Sequence, residues 1–211
     1  MEQIYNIIND TNSNVRVYLL KKQGNKRQYD AVIFPNEINN KIKETYSKNF
    51  VNFCEGRDIT EYDSVHSEKN SIKKLPLSEL SCWENILNAM STADRNCSLL
   101  TKENFTDNYS AIVLVCEKTV DEEIQKVYIL AQYRKIDSWY KKSVKFGFVA
   151  NTIQYKDEEI FVLNGCIDTV IVDSDVFVLH ETAFEKIFNY FEKLKKNRCG
   201  QKERNRKLAV S

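Results

Sequence analysis

The chain of 211 residues is 42% hydrophobic and 29% charged, with five glycines and two prolines, which allows a substantial core and argues against extensive disorder. Its longest purely apolar run, Ala111 to Cys116, falls far short of the ~20 residues that span a bilayer, and the start MEQIYNIIND lacks the features of a secretory signal. Net charge is +1, but residues 193–211 carry +7 and the preceding 192 carry −6, so a mildly acidic body ends in a basic run. The six scattered cysteines read as reduced, mostly buried thiols, and the expected location is cytoplasmic.

Val15 to Leu20 and Tyr29 to Phe34 are β-type runs on either side of KKQGNKRQ, whose Lys21, Lys22, Lys26 and Arg27 make a candidate anion contact or a merely soluble hairpin tip. Pro35 and Asn36 predict a helix through about Tyr46, and residues 50–72 read as polar and irregular. Ser78 or Ser81 starts a helix carrying Trp83, Ile86, Leu87 and Met90, followed by a polar connection over 91–108. From Tyr109 the pattern is almost continuous strand. Ala111 to Cys116 is apolar on both faces and predicts a central strand, paired with Val127 to Tyr133 across an acidic turn. The run from Val144 to Ala150 predicts a further strand.

Ile160 to Leu163, then Asn164-Gly165 as a turn, lead to a hairpin of Ile167 to Val172 and Val176 to His180 about Asp173-Ser174-Asp175. Thr182 and Glu185 have the spacing of a capping box, and Phe184, Ile187, Phe188, Phe191 and Leu194 form one apolar helical stripe. The class is α+β: an antiparallel meander with this amphipathic helix packed on it. Residues 1–100 form an N-terminal α/β portion and candidate subdomain, 101–196 the sheet and helix, and 197–211 a basic tail.

Enzymatic chemistry leaves little trace. There is no C-x-x-C, the two histidines are His66 and His180, and no phosphate loop or nucleophile elbow occurs, so no catalytic residue, metal site or cofactor is assigned. Asp168, Asp173 and Asp175 are the best carboxylate cluster, but alternation puts Asp168 away from the turn, and turn chemistry accounts for the other two. His180 could act as a base but has no partner in view, and Asp30 and Glu181 have structural readings.

Binding is better signalled. YRKIDSWYKKSVK, from Tyr133 to Lys145, interleaves Arg134, Lys135, Lys141, Lys142 and Lys145 with Trp139 and Tyr140. Such cations suit phosphates and such rings suit exposed bases. The alternative is a loop anchored to the core by Trp139. The terminal run adds Lys195, Lys196, Arg198 and Arg204 as nucleic-acid contacts, or as the solvated end of a helix.

The succession YILAQYRKIDSWYKKSVKFGFVA and then EEIFVLNGCIDTVIVDSDVFVLHETAFEKIFNYFEKL resembles the family of the B protein of the Kiwa anti-phage defence system. The resemblance covers residues 105–196 and rests on the strand ending near Arg134, the I-D-x-V-I strand, V-F-V-L after the turn, and F-E-K-I-F opening the helix. It implies a cytoplasmic DNA-binding effector, recruited to the inner face of the membrane by a small membrane-embedded partner, and a homodimer. Members usually continue well beyond this helix, so the chain reads as a C-terminally shortened member. The expectation is therefore a non-catalytic, sequence-independent DNA-binding defence protein. The alternatives are a protein-interaction module without nucleic-acid binding, or a nuclease with an unrecognised site.

Overall fold

The structure is a computed structural model that describes residues 1–10, 12–23, 26–32, 36–63, 70–96, 109–133, 146–149, 152–155, 163 and 165–190. Among these, the elements run α1 (Glu2–Asn9), β1 (Asn14–Gln23), β2 (Lys26–Val32), α2 (Asn36–Cys54), β3 (Asp58–Glu61), β4 (Ser71–Pro76), a single 3₁₀ turn (Leu77–Glu79) and α3 (Trp83–Arg95). They continue with β5 (Tyr109–Val120), β6 (Glu123–Gln132), β7 (Phe146–Val149), β8 (Thr152–Tyr155), β9 (Thr169–Val172), β10 (Asp175–Val178) and α4 (Glu181–Phe188).

Eight strands form one sheet in the order β2-β1-β5-β6-β9-β10-β4-β3, antiparallel except for the parallel edge pair β3–β4. The α+β class holds. β5, β6, β9 and β10 are successive antiparallel neighbours, as a meander requires, but β7 and β8 leave it and pair only with each other in a second, two-stranded sheet. The expectation that all strands after Tyr109 share one sheet is corrected on that point. Residues 1–100 supply both outer pairs of strands, β2–β1 and β4–β3, to the same sheet as the later ones.

Alternation along each strand divides the core in two. On one face Val15, Val17, Leu19, Ile112, Leu114, Val127, Ile129 and Val170 pack against Ile4, Ile7 and Ile8 of α1 and Ile42, Tyr46 and Phe50 of α2. On the other, Leu20, Ala111, Val113, Leu130, Ile171 and Val176 meet Trp83, Ile86 and Met90 of α3 and Phe184, Ile187 and Phe188 of α4. The sheet is therefore covered on both sides. β5 lies inside it and is buried on both faces over residues 111–116, as the apolar run predicted.

The turns explain the register. Val120 pairs with Glu123 and Val172 with Asp175, so each hairpin closes with two residues. Asp121, Glu122 and Asp173 take positive φ there, as the right-handed twist of a two-residue hairpin demands. At the N-terminus of α4 the expected capping box is absent. His180, not Thr182, occupies the N-cap position in extended geometry, and no side chain caps the helix. Thr182 falls inside the first turn, where its hydroxyl cannot act as the N-cap, and Glu185 accepts instead from the Tyr62 hydroxyl at 3.2 Å. Phe184, Ile187 and Phe188 are buried as the stripe predicts, whereas Phe191 and Leu194 lie outside the described residues.

The N-terminal half differs more from expectation. MEQIYNIIND folds into α1, α2 runs on past Tyr46 to Cys54, and the stretch read as irregular holds β3 and the start of β4. The helix α3 continues to Arg95, into what was read as a polar connection. Among the described residues no helix is long and apolar enough to cross a membrane.

Candidate functional site: a pocket beside an aspartate-held histidine

The β9–β10 hairpin dictates the site. Its ladder pairs Thr169 with Val178, and one step further the amides of Leu179 and His180 both donate to the carbonyl of Asp168, at 2.9 and 3.1 Å. The hairpin therefore brings Asp168 beside His180, twelve positions later, at its open end. The Asp168 side chain is fully buried. One carboxylate oxygen accepts the amide of Gln132 at 2.6 Å, at the end of β6, and the other meets His180 Nδ1 at 2.8 Å. A carboxylate only accepts, so Nδ1 carries the proton and Nε2 is left for other chemistry. The expectation that His180 lacks a partner is thus corrected: Asp168 orients it, while its ring remains about half exposed, at 48%.

His180 lines a pocket of about 480 Å³ with Asn49, Asn52, Phe53, Arg57, Gly165, Cys166 and Ile167. The last turns of α2 form one wall and the segment before β9 the other. The approach is close at Gly165, where a Cβ would displace the Asn49 amide that donates to the Gly165 carbonyl at 2.8 Å. Phe53 stands between two polar groups. The Arg57 guanidinium carbon sits 3.7 Å from its ring centre, and the His180 ring meets it nearly edge-on at 5.1 Å. Among the described residues lining the pocket there is no carboxylate, and among the described residues Arg57 forms no ion pair.

Burial keeps neighbouring groups neutral. It pushes the Cys54 thiol up to about 11 against the opposing pull of the chain's amino terminus and Arg57. It also raises the Tyr46 phenol well above its ordinary range, and the negative potentials of Cys166, Cys116 and Asp168 act in the same sense. Both stay protonated at neutral pH.

The carboxylates singled out from the sequence divide. Asp173 takes positive φ in the turn, as anticipated, and accepts from Gln3 at 3.2 Å, whereas Asp175 opens β10 and pairs with Lys74 at 2.9 Å, so the turn reading is corrected for Asp175. Asp30 is buried in β2, where it accepts the Tyr109 hydroxyl at 2.7 Å and pairs with Lys21 at 2.6 Å. Lys21 is therefore committed to Asp30 rather than poised in a loop, and the candidate anion contact there loses that member. Glu181 stands in the first turn of α4.

Every residue assigned to nucleic-acid contact, namely Arg134, Lys135, Trp139, Tyr140, Lys141, Lys142, Lys145, Lys195, Lys196, Arg198 and Arg204, lies outside the described residues, as does His66. What is described is the root of the first stretch. Tyr133 packs against Tyr109 with ring centres 5.6 Å apart, and its neighbour Gln132 is the residue held by Asp168. Asn49, Asn52, Phe53, Arg57, Gly165 and Cys166 were not singled out for function by sequence. Only the hairpin register, continued one step beyond Thr169, carried a signal for the Asp168–His180 pair.

Among the described residues no three His, Cys, Asp or Glu side chains gather as metal ligands. No family model matches the chain, and neither the curated proteins nor the solved structures yield a match.

Proposed function

We propose that this chain is a non-catalytic DNA-binding effector of anti-phage defence, similar to the Kiwa B family and working beside a membrane-embedded partner. The observation that carries the reading is the interleaved basic and aromatic sequence from Arg134 to Lys145, which follows directly after Tyr133, beside the end of β6. A covered sheet with a fixed strand end is a rigid base for such a binding stretch. The tail from Lys193 to Lys207 adds charge of the same sign. Binding through phosphates is independent of sequence and falls steeply with salt, because each neutralised phosphate releases condensed counterions.

A titration of labelled DNA at several salt concentrations tests this. Removing residues 197–211 deletes Arg198, Lys202, Arg204, Arg206 and Lys207, and the log–log salt slope becomes shallower by ~0.9 for each duplex phosphate that is no longer neutralised. Trp139→Ala weakens single-strand binding more than duplex binding, because stacking needs an exposed base. Absence of binding at low salt overturns the reading and favours a protein-interaction module.

A further inference from the structure

The pocket between α2 and the start of β9 is used by nothing in the DNA-binding reading. Its volume, about 480 Å³, falls in the range of small-molecule sites, ~300–1,000 Å³. Its polar groups converge from separate elements: Arg57 from the segment after α2, His180 from the N-cap of α4, and Asn52 from α2 itself. The two groups that can carry positive charge flank one ring, Phe53; the Asp168 carboxylate already meets His180 at Nδ1, whereas among the described residues no carboxylate pairs with Arg57. The guanidinium sits over Phe53, and its N–H groups are of the kind by which arginine takes a carboxylate or phosphate.

His180 separates those two anions. Its Nδ1 is held by Asp168, so Nε2 is the nitrogen left for a ligand. When the ring is protonated, Nε2–H donates to an anionic oxygen. When it is neutral, Nε2 accepts, and only an anion that still carries a hydroxyl can satisfy it. A phosphate monoester, whose second ionisation lies near ~6, is mostly doubly ionised at neutral pH and presents three oxygens to Arg57 and to a protonated His180, while its minor singly ionised fraction keeps a hydroxyl for the neutral ring. A carboxylate offers acceptors alone. The remaining volume, bordered by Phe53 and Ile167, accommodates the organic body of the ester.

We propose that this pocket binds a phosphate monoester, with Arg57 and His180 as its anion contacts and Phe53 beneath them. The ester could be a free nucleotide-sized metabolite or the phosphorylated end of a nucleic-acid strand, since the pocket's His180 shares Asp168 with Gln132, two residues before the basic stretch.

Isothermal titration of the intact chain distinguishes the sources. The probes are inorganic phosphate, a nucleoside 5′-monophosphate, acetate, and a short single-stranded oligonucleotide with either a 5′-phosphate or a 5′-hydroxyl. Comparing the last two cancels general attraction to the strand backbone, so failure of DNA binding and failure of this site read out separately. Saturable binding of the nucleoside monophosphate identifies a free ligand, and preference for the 5′-phosphorylated strand identifies a strand end. In either case Arg57→Gln and His180→Gln weaken binding at least tenfold, while Arg95→Gln on α3, across the sheet, leaves it unchanged. Circular dichroism of Arg57→Gln, whose side chain lies outside both apolar clusters, controls for folding. The proposal is overturned if no phosphate probe saturates, if acetate binds as well as phosphate, or if Arg57→Gln binds like the parent chain.

Discussion

The two faces of the main sheet are filled in different ways. Against α3 and α4 the interior is apolar and aromatic. Phe184 is wholly buried among Phe188, Tyr62 and Tyr190, with ring centres 5.1, 5.5 and 5.1 Å away, and the tyrosine hydroxyls reach Glu185 and Glu79. Against α1 and α2 the interior also encloses polar groups. Lys43 is buried and donates to the carbonyls of Asp10 and Ser13 at 2.9 and 3.1 Å, and Asp168 is bonded on both oxygens. That face opens into the pocket at one end. The first face is mainly aliphatic and aromatic and gives little of its interior to polar bonds, such as those of Tyr18 to Asp94 and Lys73 to Thr60. The second gives part of its interior to bonds that orient particular side chains, the arrangement a binding site requires.

The sharpest way to break the comparison is to empty the aromatic face. Phe184→Ala leaves a cavity with partners on every side and destabilises by ~3–5 kcal/mol, read from urea unfolding. Phosphate binding by the fraction that remains folded is unchanged, because no residue of the pocket belongs to that cluster. A loss below about 1 kcal/mol would mean that this face is not sealed.

A smaller effect is expected on the other face from Asp168→Ala. The Gln132 amide, part-buried at the end of β6, loses its acceptor, at a cost of ~1–3 kcal/mol. The half-exposed His180 adds little to that figure, because solvent screens its pairing. Hydrogen exchange makes the prediction local: the Gln132 amide exchanges faster in the variant, and the amides of β1 paired to β5 do not. Here ligand binding fails as well, since the imidazole is no longer held. Unchanged exchange at Gln132 would show that Asp168 does not hold that strand end.

How much of this was visible in the sequence follows from the same contrast. The aromatic face was legible because Phe184, Ile187 and Phe188 repeat at helical spacing and the strands beneath them alternate. What escaped was carried by polar residues with structural jobs. Lys73 is buried in β4, where it donates to the Thr60 hydroxyl at 3.1 Å, and Lys74 pairs with Asp175, so SIKKLP looks too charged for a strand. β3 has three exposed residues in four and no periodic signal. The far half of α2 hides Phe50 and Phe53 among Lys48, Asn49 and Asn52. The pocket depends on such concealment twice over, because α2 supplies its wall and a long-range pairing supplies its histidine.

The smallest expected effect has the opposite sign, and it tests whether the aromatic face is as apolar as the contrast requires. Thr169 in β9 is fully buried, and its ladder partners Leu130 and Val178 both belong to the apolar cluster against α3 and α4. Its hydroxyl has no hydrogen-bond partner among the described residues. A buried hydroxyl without a partner forfeits its hydration for nothing in return. Valine has nearly the same shape, keeps the β-branch that suits a strand, and removes the polar atom. Thr169→Val is therefore expected to stabilise by roughly 1 kcal/mol, which for a chain of this size raises the melting temperature by ~2–4 °C. Thermal unfolding followed by circular dichroism reads the shift. Ligand and DNA binding stay as they were, since Thr169 faces away from α2. A fall in melting temperature would show that the hydroxyl is hydrogen-bonded in solution, and that the aromatic face keeps a further polar bond in its interior.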